Sequence, residues 1–151
     1  MWYVCWGATM TPRQQLKDQV WLSIAHRIAD LSTCLRLKVG CVLLRQDGSV
    51  AGTGYNGSLP GAPHCAPETC NLTTRCLWTR HAERSALDYS TGIITTAYLT
   101  DEPCLRCTLD LIARGCRRVV YNRNYAPTAQ ELLERFRVID AYGIAWERLA
   151  S

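Results

Sequence analysis

Apolar residues at Val20, Ile24, Ile28 and Leu31 recur at the three- and four-residue spacing of a helix with one apolar face. Thr11, with Pro12 at the first helical position and Gln14 three residues after the cap, supplies a capping-box start. These signals predict a first helix over 12–32. Val39 to Leu44 is then a short apolar run, Gln46-Asp47-Gly48 carries turn chemistry, and Val50 to Gly54 resumes the extended pattern, which predicts a β-hairpin. Between 55 and 80 periodicity fails, leaving a loop rich in Gly, Pro, Asn, Thr and Cys; so long a loop in a small domain is functional or pinned by something. Beyond it the pattern predicts a helix from His81 to Tyr89, a strand from Ala97 to Thr100, a helix from Cys104 to Arg114 ending at Gly115, a strand from Arg118 to Tyr121, a helix from Thr128 to Phe136 and an edge strand from Ile144 to Trp146. Strands alternating with helices after a hairpin indicate an α/β protein whose mixed sheet is covered by helices on both faces. No repeat or boundary interrupts the pattern, so residues 1–151 are expected to form one domain, with 1–10 as an apolar N-terminal extension.

Composition narrows the class. A chain that is 48% hydrophobic and 20% charged has the material for a packed core, which excludes disorder and low complexity. The net charge of +4 is spread without a run of like charges, which is a weak case for a nucleic-acid binder and suits an anionic small molecule equally well. No stretch approaches the ~20 apolar residues of a membrane span. The opening MWYVCWGA is short and lacks a basic leader, so it does not read as a signal peptide and a cytoplasmic location is expected. In a reducing compartment clustered cysteines suggest metal rather than disulfides. Cys5, Cys41 and Cys116 have no ligand-like neighbours and read as small buried hydrophobes.

The strongest chemical signal is His81-Ala82-Glu83 followed, twenty residues after Glu83, by Pro103-Cys104-Leu105-Arg106-Cys107. This His-X-Glu plus Pro-Cys-X-X-Cys pattern is the one zinc-dependent deaminases carry. Cysteines at i and i+3 in the first turn of a helix can point the same way, and the positive end of the helix favours their thiolate forms. Two thiolates and one imidazole suit Zn²⁺ and leave its fourth position to water. Glu83, two residues from a ligand, is placed to take a proton from that water and later to give it up, acting as base and then as acid. A purely structural zinc site is the competing reading for Cys-X-X-Cys with a distant His; the carboxylate and Pro103 weigh against it.

These residues resemble the cytidine and deoxycytidylate deaminase family, and the resemblance runs from Ser32 to about Pro127. It implies a three-layer α/β/α fold with a five-stranded mixed sheet, and hydrolytic deamination of a cytosine nucleotide. Nucleoside-level members usually have cysteine at the place of His81, so the histidine is similar to the deoxycytidylate, transfer-RNA adenosine and single-strand DNA branches. Gly54-Tyr55-Asn56-Gly57 resembles the "GYNG" element of deoxycytidylate deaminases, which implies dCMP as substrate and a sugar contact for Asn56. The resemblance also places Tyr125 beside the nucleotide, leaves Arg123 as a phosphate candidate and includes Ala82 among the substrate-binding residues. It departs at Ser85, where the family usually has asparagine, which opens the question of 5-substituted dCMP.

Some microbial relatives hold a second, structural zinc at spacings similar to Cys34, Cys65, Cys70 and Cys76, and the resemblance implies such a site here. His64 in place of one cysteine, or no metal at all, are the alternatives. His26 reads as a packed or surface histidine. The resemblance further implies a homo-oligomer, often a hexamer, with dCTP and dTTP as effectors and Mg²⁺ beside the regulatory nucleotide. Two other functions compete: a polynucleotide deaminase, to which the scattered Trp2, Trp6, Trp21, Trp78 and Trp146 lend little stacking surface, and a non-catalytic zinc-stabilised interaction module.

Overall fold

The computed structural model describes residues 10–70, 76, 78–125 and 128–150. The expectations for the N-terminal extension, Trp2, Cys5 and Trp6 lie outside these residues. The elements run in the order α1 (Pro12–Ala29), β1 (Gly40–Leu44), β2 (Val50–Tyr55), α2 (Ala82–Asp88), β3 (Thr96–Asp101), α3 (Leu105–Ala113), β4 (Arg118–Arg123), α4 (Ala129–Ala141) and β5 (Ala145–Arg148). The five strands form one mixed sheet in the order β2-β1-β3-β4-β5. β1 is antiparallel to β2 and β3, whereas β3, β4 and β5 run parallel, as crossover helices require. No described helix is long and apolar enough to cross a membrane.

Two cores separate on the pleat of the sheet. Leu22 and Ala25 of α1 pack on Val42, Leu44, Tyr98 and Val120 on one face. On the other face Cys41, Leu43, Leu99, Val119 and Tyr121 meet Ala82 and Ala86 of α2 and Leu111 and Ile112 of α3, with Val138 and Ile139 of α4 against them. The result is the three-layer α/β/α arrangement expected from the sequence. Cys41 and Cys116 are buried without solvent access, as expected of small hydrophobes.

The first helix differs from expectation. It ends at Ala29, and its buried side is Asp18, Leu22, Ala25 and Ala29, while Val20 and Leu31 are exposed. Two contacts turn it. Arg118 and Tyr98 draw the Asp18 carboxylate inward, and Gly40 lies so close beneath the helix that a Cβ there would sit 1.9 Å from the Ala25 carbonyl oxygen. Only small residues fit over that crossing. At the other end of the chain, α4 runs five residues beyond the expected stop at Phe136. Within it Phe136 is exposed and Arg135 fully buried, which inverts the polarity on which the expectation rests.

Candidate active site

Two helix starts converge on the carboxyl side of β3. His81 is the N-cap of α2, with extended backbone, and Glu83 lies in the first turn. Cys104 is the N-cap of α3 and Cys107 follows within its first turn. Glycines in β2 let α2 lie directly on the strand: a Cβ on Gly54 would come within 2.3 Å of the Ala86 nitrogen. Gly57 and Arg80 form an antiparallel bridge with hydrogen bonds of 3.1 and 2.9 Å, which ties the loop after β2 to the residue preceding His81.

The geometry fits a metal. His81 Nδ1 is 3.6 Å from Cys104 Sγ and 3.4 Å from Cys107 Sγ. A tetrahedral Zn²⁺ with its usual bond lengths would hold nitrogen and sulfur ligands about 3.6 Å apart. Among the described residues this is the one group of three or more such ligands whose donor atoms lie within 4.8 Å of one another. A hydrogen bond from Cys107 holds the Cys104 thiol down to about 4, with His81 also lowering it, while the same hydrogen bond and burial push Cys107 up. The pair therefore gives up one proton readily and the second reluctantly, and a dication is what stabilises both thiolates. Burial pushes the Glu83 carboxyl up to about 7; its backbone hydrogen bond and His81 pull the other way. A carboxyl poised near neutrality both accepts and donates protons there.

His81, Glu83 and Cys104 open into a cavity of about 100 Å³ that Ala82, Asn56, Tyr125, Glu102 and Arg36 also line. Asn56 is buried and its amide is largely committed. Its Oδ1 accepts from Ser32 Oγ (2.7 Å) and from the Val39 N–H (2.8 Å), and its Nδ2 donates to the Leu37 carbonyl (2.7 Å). Among the described residues its second amide hydrogen has no acceptor, and Asn56 lines the cavity. Ser32, Leu37 and Val39 were not singled out in the sequence, because these contacts span 17 to 24 residues and leave no periodic trace. Arg123, the phosphate candidate, pairs with Asp101 at 2.8 Å and donates to the Lys38 carbonyl at 3.2 Å. Arg36, at the cavity wall, went unremarked in the sequence.

Cys34, Cys65, Cys70 and Cys76 line the same cavity. Partial burial and then the thiols of Cys65, Cys34 and Cys76 raise the Cys70 thiol, which places those three within electrostatic reach of Cys70, although no three of the four sulfurs lie within 4.8 Å of one another as the His81 set does. The nearby Thr79 side chain and Trp78 backbone hold the Cys76 thiol below its usual range. His64 lines a different cavity of about 260 Å³, beside Arg80, Tyr89 and the Gly54–Gly57 element. Ser85 faces that second cavity and is not among the residues lining the first. His26 is exposed on α1.

Residues 15–123 match the family described as the cytidine and deoxycytidylate deaminase zinc-binding region. The chain is 38% identical over 126 residues to ComE operon protein 2 of Bacillus subtilis, covering 78% of this chain and 66% of that protein. It is 39% identical over 120 residues to the deoxycytidylate deaminase of Mycobacterium phage D29, covering 69% of this chain and 92% of that enzyme. The dCMP deaminase of cyanophage S-TIM5, solved in complex with dCMP and dUMP, is similar with a TM-score of 0.74 and 25% identity, over 93% of this chain and 100% of that one.

Proposed function

The chain belongs to the cytidine and deoxycytidylate deaminase family, and from that premise and the geometry of its site we propose that it is a zinc-dependent deaminase converting dCMP to dUMP and ammonia. The observation that carries the reading is the joining of His81, Cys104 and Cys107 into one ligand set beside a buried Glu83. When bound there, Zn²⁺ supplies a Lewis acid that lowers the pKa of water from 15.7 to about 7. Glu83 would take one proton from the attacking water and deliver it to the ring nitrogen beside C4, then take the second proton from the hydroxyl now on C4 and pass it to the amine, so that the C4–N bond breaks, the C4 carbonyl forms and ammonia leaves. Asn56 offers its remaining amide hydrogen to a sugar hydroxyl, Ala82 walls the base, and Tyr125 borders the nucleotide. Arg36 adds a cation at the wall for an anionic substrate.

A second, structural zinc on Cys34, Cys65, Cys70 and Cys76 pins the loop between β2 and α2. It is supported by the shared cavity and by the influence of the other three thiols on Cys70; the location of His64 in another cavity favours four cysteines over the histidine alternative. The second cavity, at the "GYNG" element with Arg80 on its wall, is where a dCTP or dTTP effector with Mg²⁺ belongs. Ser85 lines it, so the departure from asparagine bears on that effector site more directly than on 5-substituents of the substrate. Exposed Leu16 and Val20 on α1 and Leu133 and Phe136 on α4 support a homo-oligomer, hexameric by resemblance. The assignment of six cysteines to zinc fits a reducing, cytoplasmic setting.

The test is ammonia release from dCMP, 5-methyl-dCMP, deoxycytidine and a single-stranded oligonucleotide, with zinc content measured on the same sample. Turnover of the monophosphates with two zinc ions per chain is the expected result. Turnover of the oligonucleotide alone would transfer the protein to a polynucleotide substrate, and zinc without turnover of anything would leave a structural module.

A further inference from the structure

Arg135 of α4 is without solvent exposure, and every hydrogen bond it makes ends beside the site. Its Nη1 donates to the carbonyl of Pro103, the residue before the ligand Cys104, at 2.9 Å. Its Nη2 lies 2.9 Å from Glu102 Oε2 and donates to the Tyr125 carbonyl at 3.1 Å. Glu102 meets Tyr125 from the other side: its Oε2 accepts from the Tyr125 N–H at 3.1 Å, while its Oε1 accepts from Trp146 Nε1 at 2.9 Å. Tyr125 is thus held by both its backbone groups. Arg135 also stacks over the Trp146 ring, 5.9 Å from its centroid.

The pairing is poorly explained as a device for stability. A buried ion pair barely repays the desolvation of its two charges. Here, moreover, Arg135 Nε is buried with no hydrogen-bond partner among the described residues, a further cost that an arrangement selected for stability alone would avoid. What the planar fork does achieve is to fix the two backbone carbonyls at a set separation, which a point-charged lysine cannot do. Glu102, which lines the cavity, has both carboxylate oxygens occupied by donors and is not free to move a proton.

We propose that Arg135 and Glu102 are positioning residues, a buried strut that locks the turn carrying Cys104 to the segment carrying Tyr125, so that the metal ligands and the nucleotide wall hold a single relative placement. Zinc retention and nucleotide affinity are then coupled through α4, an element that contributes no group to either. The substrate half of this inference rests on the proposed dCMP activity; the zinc half does not.

The experiment compares the zinc-loaded unvaried protein with Arg135→Lys and with the neutral double variant Glu102→Met/Arg135→Met, which leaves no unpaired buried charge and so protects folding. Three quantities are read: melting temperature, the rate of zinc transfer to a chromophoric chelator, and dCMP affinity by calorimetry. For the double variant, read well below its melting temperature, the strut requires zinc release at least tenfold faster and dCMP affinity at least tenfold weaker. Retained stability with unchanged zinc release and unchanged affinity would overturn it, since an ion pair serving only stability predicts that pattern. Should Arg135→Lys fail to fold, the double variant decides alone. If the unvaried protein binds no dCMP, the functional reading falls, while the zinc-release comparison still tests the strut.

Discussion

Glu83 is 4% exposed, sits in the first turn of α2 and shares its cavity with His81 and Cys104, so one carboxyl is placed to perform all the proton transfers proposed for the site. Glu83→Gln keeps the shape and removes the base. Turnover of dCMP is expected to fall by about 10²–10⁴-fold, with zinc content by atomic absorption unchanged; loss of zinc in this variant would mean that Glu83 is a ligand rather than a proton carrier. Cys107→Ser removes a soft ligand from the three-ligand set and is expected to lose zinc and activity together. Asn56 acts on a different quantity. Asn56→Ala leaves the Ser32 hydroxyl, the Val39 N–H and the Leu37 carbonyl without their partner, which is expected to cost about 3 kcal/mol in urea unfolding, because orphaned buried polar groups cost about 1–3 kcal/mol each.

At the scale of elements, the close seating of α2 on β2 decides where Glu83 points. A methyl at Gly54 would meet the Ala86 nitrogen at 2.3 Å and the Ala82 carbonyl oxygen at 2.4 Å, both of them backbone atoms that cannot swing aside. Gly54→Ala is therefore expected to lower stability by about 2 kcal/mol through overpacking. It should also lower kcat more than it raises KM, since the helix it displaces carries the proton donor. An unchanged kcat with reduced stability would show that α2 tolerates displacement. The hairpin, the two ligand-bearing helices and the parallel strands were readable as elements because their periods and caps are local. The buried side of α1 was not, because Asp18 is drawn inward by partners 80 and 100 residues away, and α4 was cut short because its Arg135 breaks the apolar stripe.

For the whole molecule, Asp18, Tyr98, Arg118 and Glu147 form a network that joins α1, β3, β4 and β5 at the end of the sheet opposite the site. Burial raises the Asp18 carboxyl, but hydrogen bonds from Arg118, Tyr98 and Gln14 outweigh it and leave the group below its ordinary value. A carboxyl lowered on folding contributes stability that is fully present above the unfolded-state value of about 3.9 and is lost as pH falls through the folded value. Asp18→Asn should melt at a lower temperature than the unvaried protein, by a gap that is constant above about pH 5 and closes as the pH drops below about 4. A gap that stayed the same down to pH 2 would rule out the charged pair as its source.

The sequence by itself determined the candidate groups of the proposed site: His81, Glu83, Cys104 and Cys107 stand at spacings that a helix start translates directly into geometry. It also determined the order of strands and helices, because hydrophobic period and capping are properties of neighbouring residues. The union of the two helix starts into one ligand set was decided by tertiary structure, through β2 glycines that admit α2 and a sheet that sets α3 beside it. The commitment of the Asn56 amide and the burial of Arg135 between Pro103 and Tyr125 were decided there as well. Those interactions pair residues 10 to 32 positions apart, and a one-dimensional pattern holds no record of which distant polar group will satisfy a buried one.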